Sequence, residues 1–162
     1  MQRTLSIIYA STSGHTEFVV DTLAAQLEEK AKDMRIVKQR AEQTKAEDLT
    51  KSDVLILASS TWNTGNVEGQ LNPWMHELLN KTAAGIDLKK LPCAAIGLGD
   101  ERYFYTAKAA ERLTDYLKMH NGKVLLPALK IVNEPYGQEL KVTAWADELL
   151  KQIQKLPAPT AH

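Results

Sequence analysis

Short apolar segments alternate along this chain with segments whose apolar residues recur at helical spacing. Five segments are predicted to be strands: "TLSIIYA" from Thr4, "MRIVKQ" from Met34, "DVLILAS" from Asp53, "CAAIGLG" from Cys93 and "KVLLPALKIV" from Lys123. The first, third and fourth are apolar on both faces, which is typical of central strands in a parallel sheet.

Three apolar patterns with a period near 3.6 predict helices between or after these strands. Their members are Val20, Leu23, Ala24, Leu27 and Ala31; Leu71, Trp74, Met75, Leu78 and Leu79; and Val142, Trp145, Ala146, Leu149, Leu150 and Ile153. The polar stretch from Arg40 to Lys51 leaves room for a short helix only. Strands and helices in alternation predict a doubly wound α/β domain.

Length and charge limit the classes of protein to which this chain could belong. The 162 residues suit one domain, predicted to span residues 1–156 with a disordered tail at 157–162. Lys+Arg and Asp+Glu number 20 each, so no basic field would attract nucleic acid or an anionic membrane. Without a long apolar run or a secretory signal, the chain is expected to be cytoplasmic. The single cysteine, Cys93, is expected to be a buried structural thiol.

The segment "STSGHTE", Ser11 to Glu17, follows the first predicted strand and precedes a helix. Backbone N–H groups at a helix N-terminus attract anions, hydroxyl groups add donors, and Gly14 permits close approach of a ligand. These residues predict a phosphate-binding loop, although serine and threonine before a helix can also act only as N-caps. The nucleoside-triphosphate pattern G-x-x-x-x-G-K-[ST] is absent.

Aromatic residues follow two other predicted strands at the same edge of the sheet. Trp62 lies in "ASSTWNTGN" and is predicted to stand on a turn-forming loop, while "GLGDERYFY" carries Tyr103 and Tyr105. A dinucleotide fingerprint fails in the second segment, because its third glycine position holds Arg102. Two aromatic loops beside a phosphate site predict a planar ring held between side chains, such as a flavin.

Together these three segments resemble the flavodoxin family, specifically its short-chain members. "STSGHTE" is similar to the family's phosphate loop, "SSTWNTGN" to its first ring-binding loop and "GLGDERYFY" to its second. The resemblance implies a flavodoxin-like five-stranded parallel sheet of order 2-1-3-4-5 between two helical layers. It also implies FMN as the cofactor.

Residue by residue, the resemblance implies the following contacts. The phosphate would be bound by Ser11, Thr12, Ser13, Gly14, His15 and Thr16. Ser60 and Thr61 would face the ribityl chain, Trp62 would cover one ring face, and Asn63 and Thr64 would supply the peptide near flavin N5. Asp100 would offer its backbone N–H to the pyrimidine edge, and Tyr103 would stack on the outer face. Gly65, Gly99, Tyr105 and Ala107 complete the two ring loops. His15 would either donate to the phosphate or point into solvent.

The implied function is that of a low-potential electron carrier, a monomer that shuttles single electrons between a flavodoxin reductase and acceptor enzymes. The sequence offers no catalytic set and no metal-ligand spacing among its histidines. Two alternatives remain, an FMN-binding accessory module and a small quinone reductase. A phospho-acceptor domain is disfavoured, because Ser59 and Ser60 stand where the third strand would need an aspartate.

Overall fold

The computed structural model describes residues 2–64, 67–99 and 107–158. Its strands are β1 Arg3–Ala10, β2 Met34–Arg40, β3 Val54–Thr64, β4 Val67–Leu71, β5 Pro92–Gly99, β6 Lys123–Val124 and β7 Leu129–Val132. Its α-helices are α1 His15–Lys30, α2 Pro73–Glu77, α3 Lys108–Met119 and α4 Glu139–Gln154. Helix α2 continues as a π-helical turn over Leu78–Thr82, and 3₁₀ turns cover Ala41–Gln43 and Ala46–Thr50. No helix within these ranges is long and apolar enough to span a bilayer.

The sheet is parallel with the order β2-β1-β3-β5-β6, and β7 also pairs with β5. This confirms the predicted order, with one difference at the edge. The predicted fifth strand is two short strands, separated by residues 125–128. Pro127 lies in that gap and has no N–H to give to a ladder, which accounts for the interruption.

Helices cover both faces of the sheet. On one face α1 and α4 pack over a core that includes Leu5 and Ile7 of β1, and on the other α2 and α3 pack over a core that includes Ile8. The alternation along β1 follows from the two-residue period of a strand. The prediction of central strands that are apolar on both faces is therefore confirmed.

One strand and one helix face differ from the sequence-based expectation. The second helical pattern was expected to begin with Leu71, but Leu71 ends β4, which pairs antiparallel with β3. Helix α2 begins at Pro73, a residue that suits a first helical position because its missing N–H needs no partner there. Trp74 is 48% exposed and does not belong to the core.

Gly97 sets how closely α3 approaches the sheet. A Cβ atom placed on Gly97 would lie 2.2 Å from the backbone nitrogen of Ala110, a distance that no side chain can occupy. The glycine in "GLG" thus permits packing between β5 and α3. This close approach brings the start of α3 against the carboxyl end of β5.

Candidate functional site

A cleft of about 620 Å³ opens at the carboxyl edge of the sheet, where the strand order reverses between β1 and β3. Ala10 and Ser59 are partners in the ladder between these strands, so the segments that follow them begin side by side. Ligands of open α/β sheets bind at such a reversal point. The cleft is lined by Thr12, Ser13, His15, Ser60, Thr61, Trp62, Leu98, Gly99, Asn133 and Glu134.

The Ser11 side chain holds the loop before α1 in shape. Its Oγ accepts hydrogen bonds from the backbone N–H groups of Gly14 at 3.1 Å and of Glu17 at 3.3 Å, and the residue is 9% exposed. Thr12 and Ser13, by contrast, are exposed. Both interpretations of the hydroxyl-rich loop therefore apply, to different residues: the Ser11 hydroxyl accepts N–H groups of the loop and the first helical turn, while Thr12 and Ser13 remain accessible to a ligand.

Gly14 gives the loop its sharp turn into α1. Its φ of 89° lies in the left-handed region that glycine adopts without strain, and its carbonyl accepts the Phe18 N–H at 2.9 Å. The N–H groups of His15 and Thr16 come at the start of the helix, where no preceding turn supplies carbonyl partners. This end of a helix attracts anions.

Thr16 has a buried hydroxyl for which the described residues offer no partner. The residue is 1% exposed, and its Oγ1 makes no hydrogen bond to any part of the chain that the structure describes. Most buried polar side-chain atoms are paired, so an unpaired hydroxyl at the start of α1 fits a loop that receives a polar ligand. The loop residues present are compatible with a phosphate group.

A third segment, after β7, borders the same cleft. Asn133 and Glu134 line it, and Tyr136 lies edge-on to the His15 ring with centroids 5.6 Å apart. Tyr136 also contacts the Phe18 ring at a centroid distance of 4.8 Å. His15 therefore lines the cleft while packing against an aromatic side chain. Sequence reasoning missed this segment, although it follows a strand at the same edge of the sheet.

Trp62 lies on a strand, and the prediction of a turn-forming loop is wrong. It belongs to the end of β3, where it pairs with Gln70 of β4, because β4 folds back and extends the ladder. Its Nε1 donates to Ser60 Oγ at 2.9 Å, and the partly buried indole lines the cleft. Strand pairing and this hydrogen bond fix the orientation of the ring.

The remaining predicted residues fall into three groups. Asn63 and Thr64 end β3, and Gly99 ends β5 at the cleft. Ala107 is buried with a φ of 54° and precedes α3. The others lie outside the described residues, namely Gly65, Asp100, Tyr103 and Tyr105, as does Arg102. Among the residues described, no cluster of His, Cys, Asp or Glu could hold a metal ion.

Asn72 holds the part of β3 that leads into the cleft, and sequence reasoning missed it. It is fully buried, and its N–H donates to Ser59 Oγ at 3.0 Å and to the Ser60 carbonyl at 3.2 Å. Its Oδ1 accepts the Trp74 N–H at 2.9 Å and so caps α2. Asn-Pro before a helical pattern is a recognisable N-terminal signal, and it could have identified this cap.

Known proteins resemble the chain in sequence and structure. The family model described as flavodoxin matches residues 7–145. A flavodoxin of Nitratidesulfovibrio vulgaris is 30% identical over 150 residues, covering 91% of this chain and 97% of that protein. A probable flavodoxin 2 of Bacillus subtilis is 28% identical over 136 residues, covering 82% of this chain and 84% of that protein.

The crystal structure of oxidised flavodoxin 2 from Bacillus cereus superposes with a TM-score of 0.82 at 30% identity, covering 92% of this chain and 99% of the other. The matched region contains the loop before α1, the end of β3 and the end of β5, which together form the cleft. The chain belongs to the flavodoxin family, whose members are electron carriers that use a flavin.

Proposed function

We propose that this protein binds FMN in the cleft at the β1/β3 reversal and carries single electrons between a reductase and acceptor enzymes. The observation that supports it best is the buried Thr16 hydroxyl, which has no hydrogen-bond partner among the described residues and lies beside a left-handed Gly14. A phosphate-bearing flavin explains why a helix N-terminus, exposed hydroxyls and a buried donor occur together. Riboflavin would leave that loop without a ligand.

Different residues of the cleft would contact different parts of FMN. The loop from Ser11 to Thr16 would hold the phosphate, and Trp62 would cover one face of the ring. Ser60 and Thr61 already make hydrogen bonds within the protein, which fixes the wall between these two ends of the cleft. Asp100, Tyr103 and Tyr105 are proposed to complete the site from the second ring loop.

When bound, FMN supplies the redox chemistry, since its ring takes up and releases electrons one at a time. The protein's part is to bind the ring, limit its contact with water and fix its orientation. The indole of Trp62 would provide an apolar wall. Of the described residues that line the cleft, His15 and Glu134 carry titratable side chains. The proposed role needs neither of them as an acid or base.

The first experiment is the visible spectrum of the purified protein, with the released cofactor identified by mass. We expect a yellow protein that releases FMN, and an apoprotein that takes up FMN far more tightly than riboflavin. Fluorescence quenching during titration with each flavin measures both affinities. A colourless protein that fails to take up added FMN would contradict the proposal.

Electron carriage needs a separate assay. We expect the loaded protein to be reduced by NADPH through a flavodoxin reductase and to pass electrons on to cytochrome c. The protein should not oxidise a nicotinamide with a quinone in the absence of the reductase. Rapid turnover without the reductase would indicate a quinone reductase. Failure to accept electrons from the reductase would favour an accessory module.

A further inference from the structure

Arg40 ends β2 and connects three elements beneath the phosphate loop. Its Nη2 donates to Glu17 Oε2 at 2.9 Å, and its Nη1 makes a long hydrogen bond of 3.4 Å to the Ser11 carbonyl. The guanidinium carbon also lies 5.4 Å from the centroid of the Tyr9 ring. The Arg40 side chain thus joins the end of β2 to three other elements: the end of β1, the loop and the first turn of α1.

Glu17 closes this set of contacts into a ring. Its backbone N–H donates to Ser11 Oγ, while its carboxylate accepts from Arg40 through one oxygen and from the Tyr9 hydroxyl, at 3.4 Å, through the other. Burial raises the pKa of the Tyr9 phenol more than the neighbouring Arg40 charge lowers it, so the hydroxyl remains a donor at neutral pH. Ser11 is therefore held at both its side chain and its carbonyl.

We propose that Arg40 is a positioning residue for phosphate binding, an inference that rests on the proposed FMN function. Arg40 would act through Ser11 and Glu17, holding the loop in the shape that presents the N–H groups at the start of α1 to the phosphate. Its charge is offset by Glu17 and by Glu42, whose Oε2 lies 3.9 Å from Nη1. The effect on the phosphate should thus come from geometry, because the two carboxylates leave no net positive charge in this cluster.

A second ion pair offers a matched control. Lys38 Nζ lies 2.8 Å from Asp21 Oδ1, so this pair also joins β2 to α1. Among the described residues, the hydrogen bond and ion pair of Lys38 go to Asp21 and not to Ser11 or Glu17. Replacing Lys38 removes the same kind of cross-link one helical turn farther from the loop.

The test compares Arg40→Gln, Arg40→Lys and Lys38→Gln by titrating each apoprotein with FMN and with riboflavin. Arg40→Gln should raise the Kd for FMN about fivefold, because a partly exposed ion pair makes only a modest contribution. The Kd for riboflavin, which has no phosphate, should change less than about twofold. Lys38→Gln should leave both unchanged. Arg40→Lys keeps the charge but lacks the planar fork that reaches two acceptors, so it should also weaken FMN binding.

A flavin-independent measurement separates this inference from the proposed function. The Gly14 and Glu17 N–H groups both donate to Ser11 Oγ, so their hydrogen exchange reports the shape of the loop in the apoprotein. Both amides should exchange faster in Arg40→Gln than in wild type or Lys38→Gln. If wild type failed to bind FMN, the proposed function would fall, and these exchange rates would still decide whether Arg40 holds the loop.

Three results would overturn the inference. One is equal exchange of the Gly14 and Glu17 amides in Arg40→Gln and wild type. Another is an equal loss of FMN and riboflavin affinity, which would mean that Arg40 stabilises the whole fold and not the loop. An Arg40→Lys variant that matches wild type would assign the effect to charge and would also contradict the geometric role.

Discussion

The Thr61 hydroxyl accepts a hydrogen bond from the backbone N–H of Ala109 at 2.9 Å, joining the end of β3 to the first turn of α3. Ala109 is fully buried, so its N–H could not turn to water if Thr61 were lost. Thr61→Val keeps the side-chain shape but removes the acceptor. We expect it to lower the free energy of unfolding of the apoprotein by about 1 to 3 kcal/mol, measured by urea denaturation.

Thr61→Ser is the control for this prediction. It keeps the hydroxyl and loses only a methyl group, so it should remain more stable than Thr61→Val. Equal stability of Thr61→Val and wild type would mean that the Ala109 N–H does not depend on this acceptor.

Trp62→Ala should weaken FMN binding at least about threefold, because an aromatic stack contributes roughly 0.5 to 1.5 kcal/mol beyond its buried area. Trp74→Ala is the matched control, since Trp74 is a tryptophan from the adjoining segment that stands 48% exposed and outside the cleft. It should leave FMN affinity unchanged, and any effect should appear in stability only, because the side chain is half-buried. Similar FMN affinities in both variants, measured by fluorescence titration, would remove the stacking role of Trp62.

The sequence was sufficient to predict the central sheet. Leu55 and Ile56 are successive apolar residues that face opposite cores, and such runs have few alternatives in a chain of alternating strands and helices. It was not sufficient to predict β4. The segment "VEGQL" is short, contains glycine and lacks an apolar alternation, so its pairing with β3 depends on tertiary contacts.

Within the candidate site, composition identified the hydroxyl-rich loop but could not assign its side chains. Ser11 turns inward while Ser13 is exposed, and this difference depends on the left-handed turn at Gly14. The contacts of Arg40 and Tyr136 were also missed, because both residues lie far from the loop in the sequence and meet it only when the strands are assembled. Pattern reasoning has no signal for such distant neighbours.

Cys93 should be inert in the folded protein. The residue is fully buried, and burial raises the pKa of its thiol to about 12, so almost none of the reactive thiolate exists at pH 8. We expect no reaction with Ellman's reagent under native conditions and one equivalent after unfolding in guanidinium chloride. Rapid labelling of the native protein would show that the strand opens readily at Cys93.

Asp48 should make stability depend on pH in the acid range. Its carboxylate accepts the Lys45 N–H and pairs with Lys51, and these contacts, the backbone hydrogen bond foremost, hold its pKa at about 2. Because the folded pKa lies below the unfolded value of about 3.9, the stabilisation is present at neutral pH and is lost as the pH falls from about 5 to 2. The difference between the folded and unfolded pKa values corresponds to about 2 kcal/mol of stability at neutral pH. Solvent screens little of this effect, because the Asp48 side chain is only 10% exposed.

Urea denaturation of wild type and Asp48→Asn at several pH values tests this. Asp48→Asn should be less stable than wild type at pH 7, and the difference should shrink steadily below pH 5. A difference between wild type and Asp48→Asn that stays constant from pH 7 to pH 3 would contradict the assigned pKa.

Gly14→Ala should weaken FMN binding through the backbone, and Gly137→Ala provides the comparison. Both glycines have nearly the same left-handed φ, 89° and 88°, and an added Cβ would meet no atom within 4 Å at either. Each alanine should therefore cost about 1 to 2 kcal/mol of stability through strain alone. Of these two glycines, Gly14 donates its N–H to Ser11 and Gly137 donates to Glu139, so Gly14→Ala alone should distort the phosphate loop. Titration should show a weaker affinity for FMN, but not for riboflavin, in Gly14→Ala, and no selective loss in Gly137→Ala. Equal FMN affinities in the two variants, with equal losses of stability, would mean that the loop does not require a left-handed residue to bind phosphate.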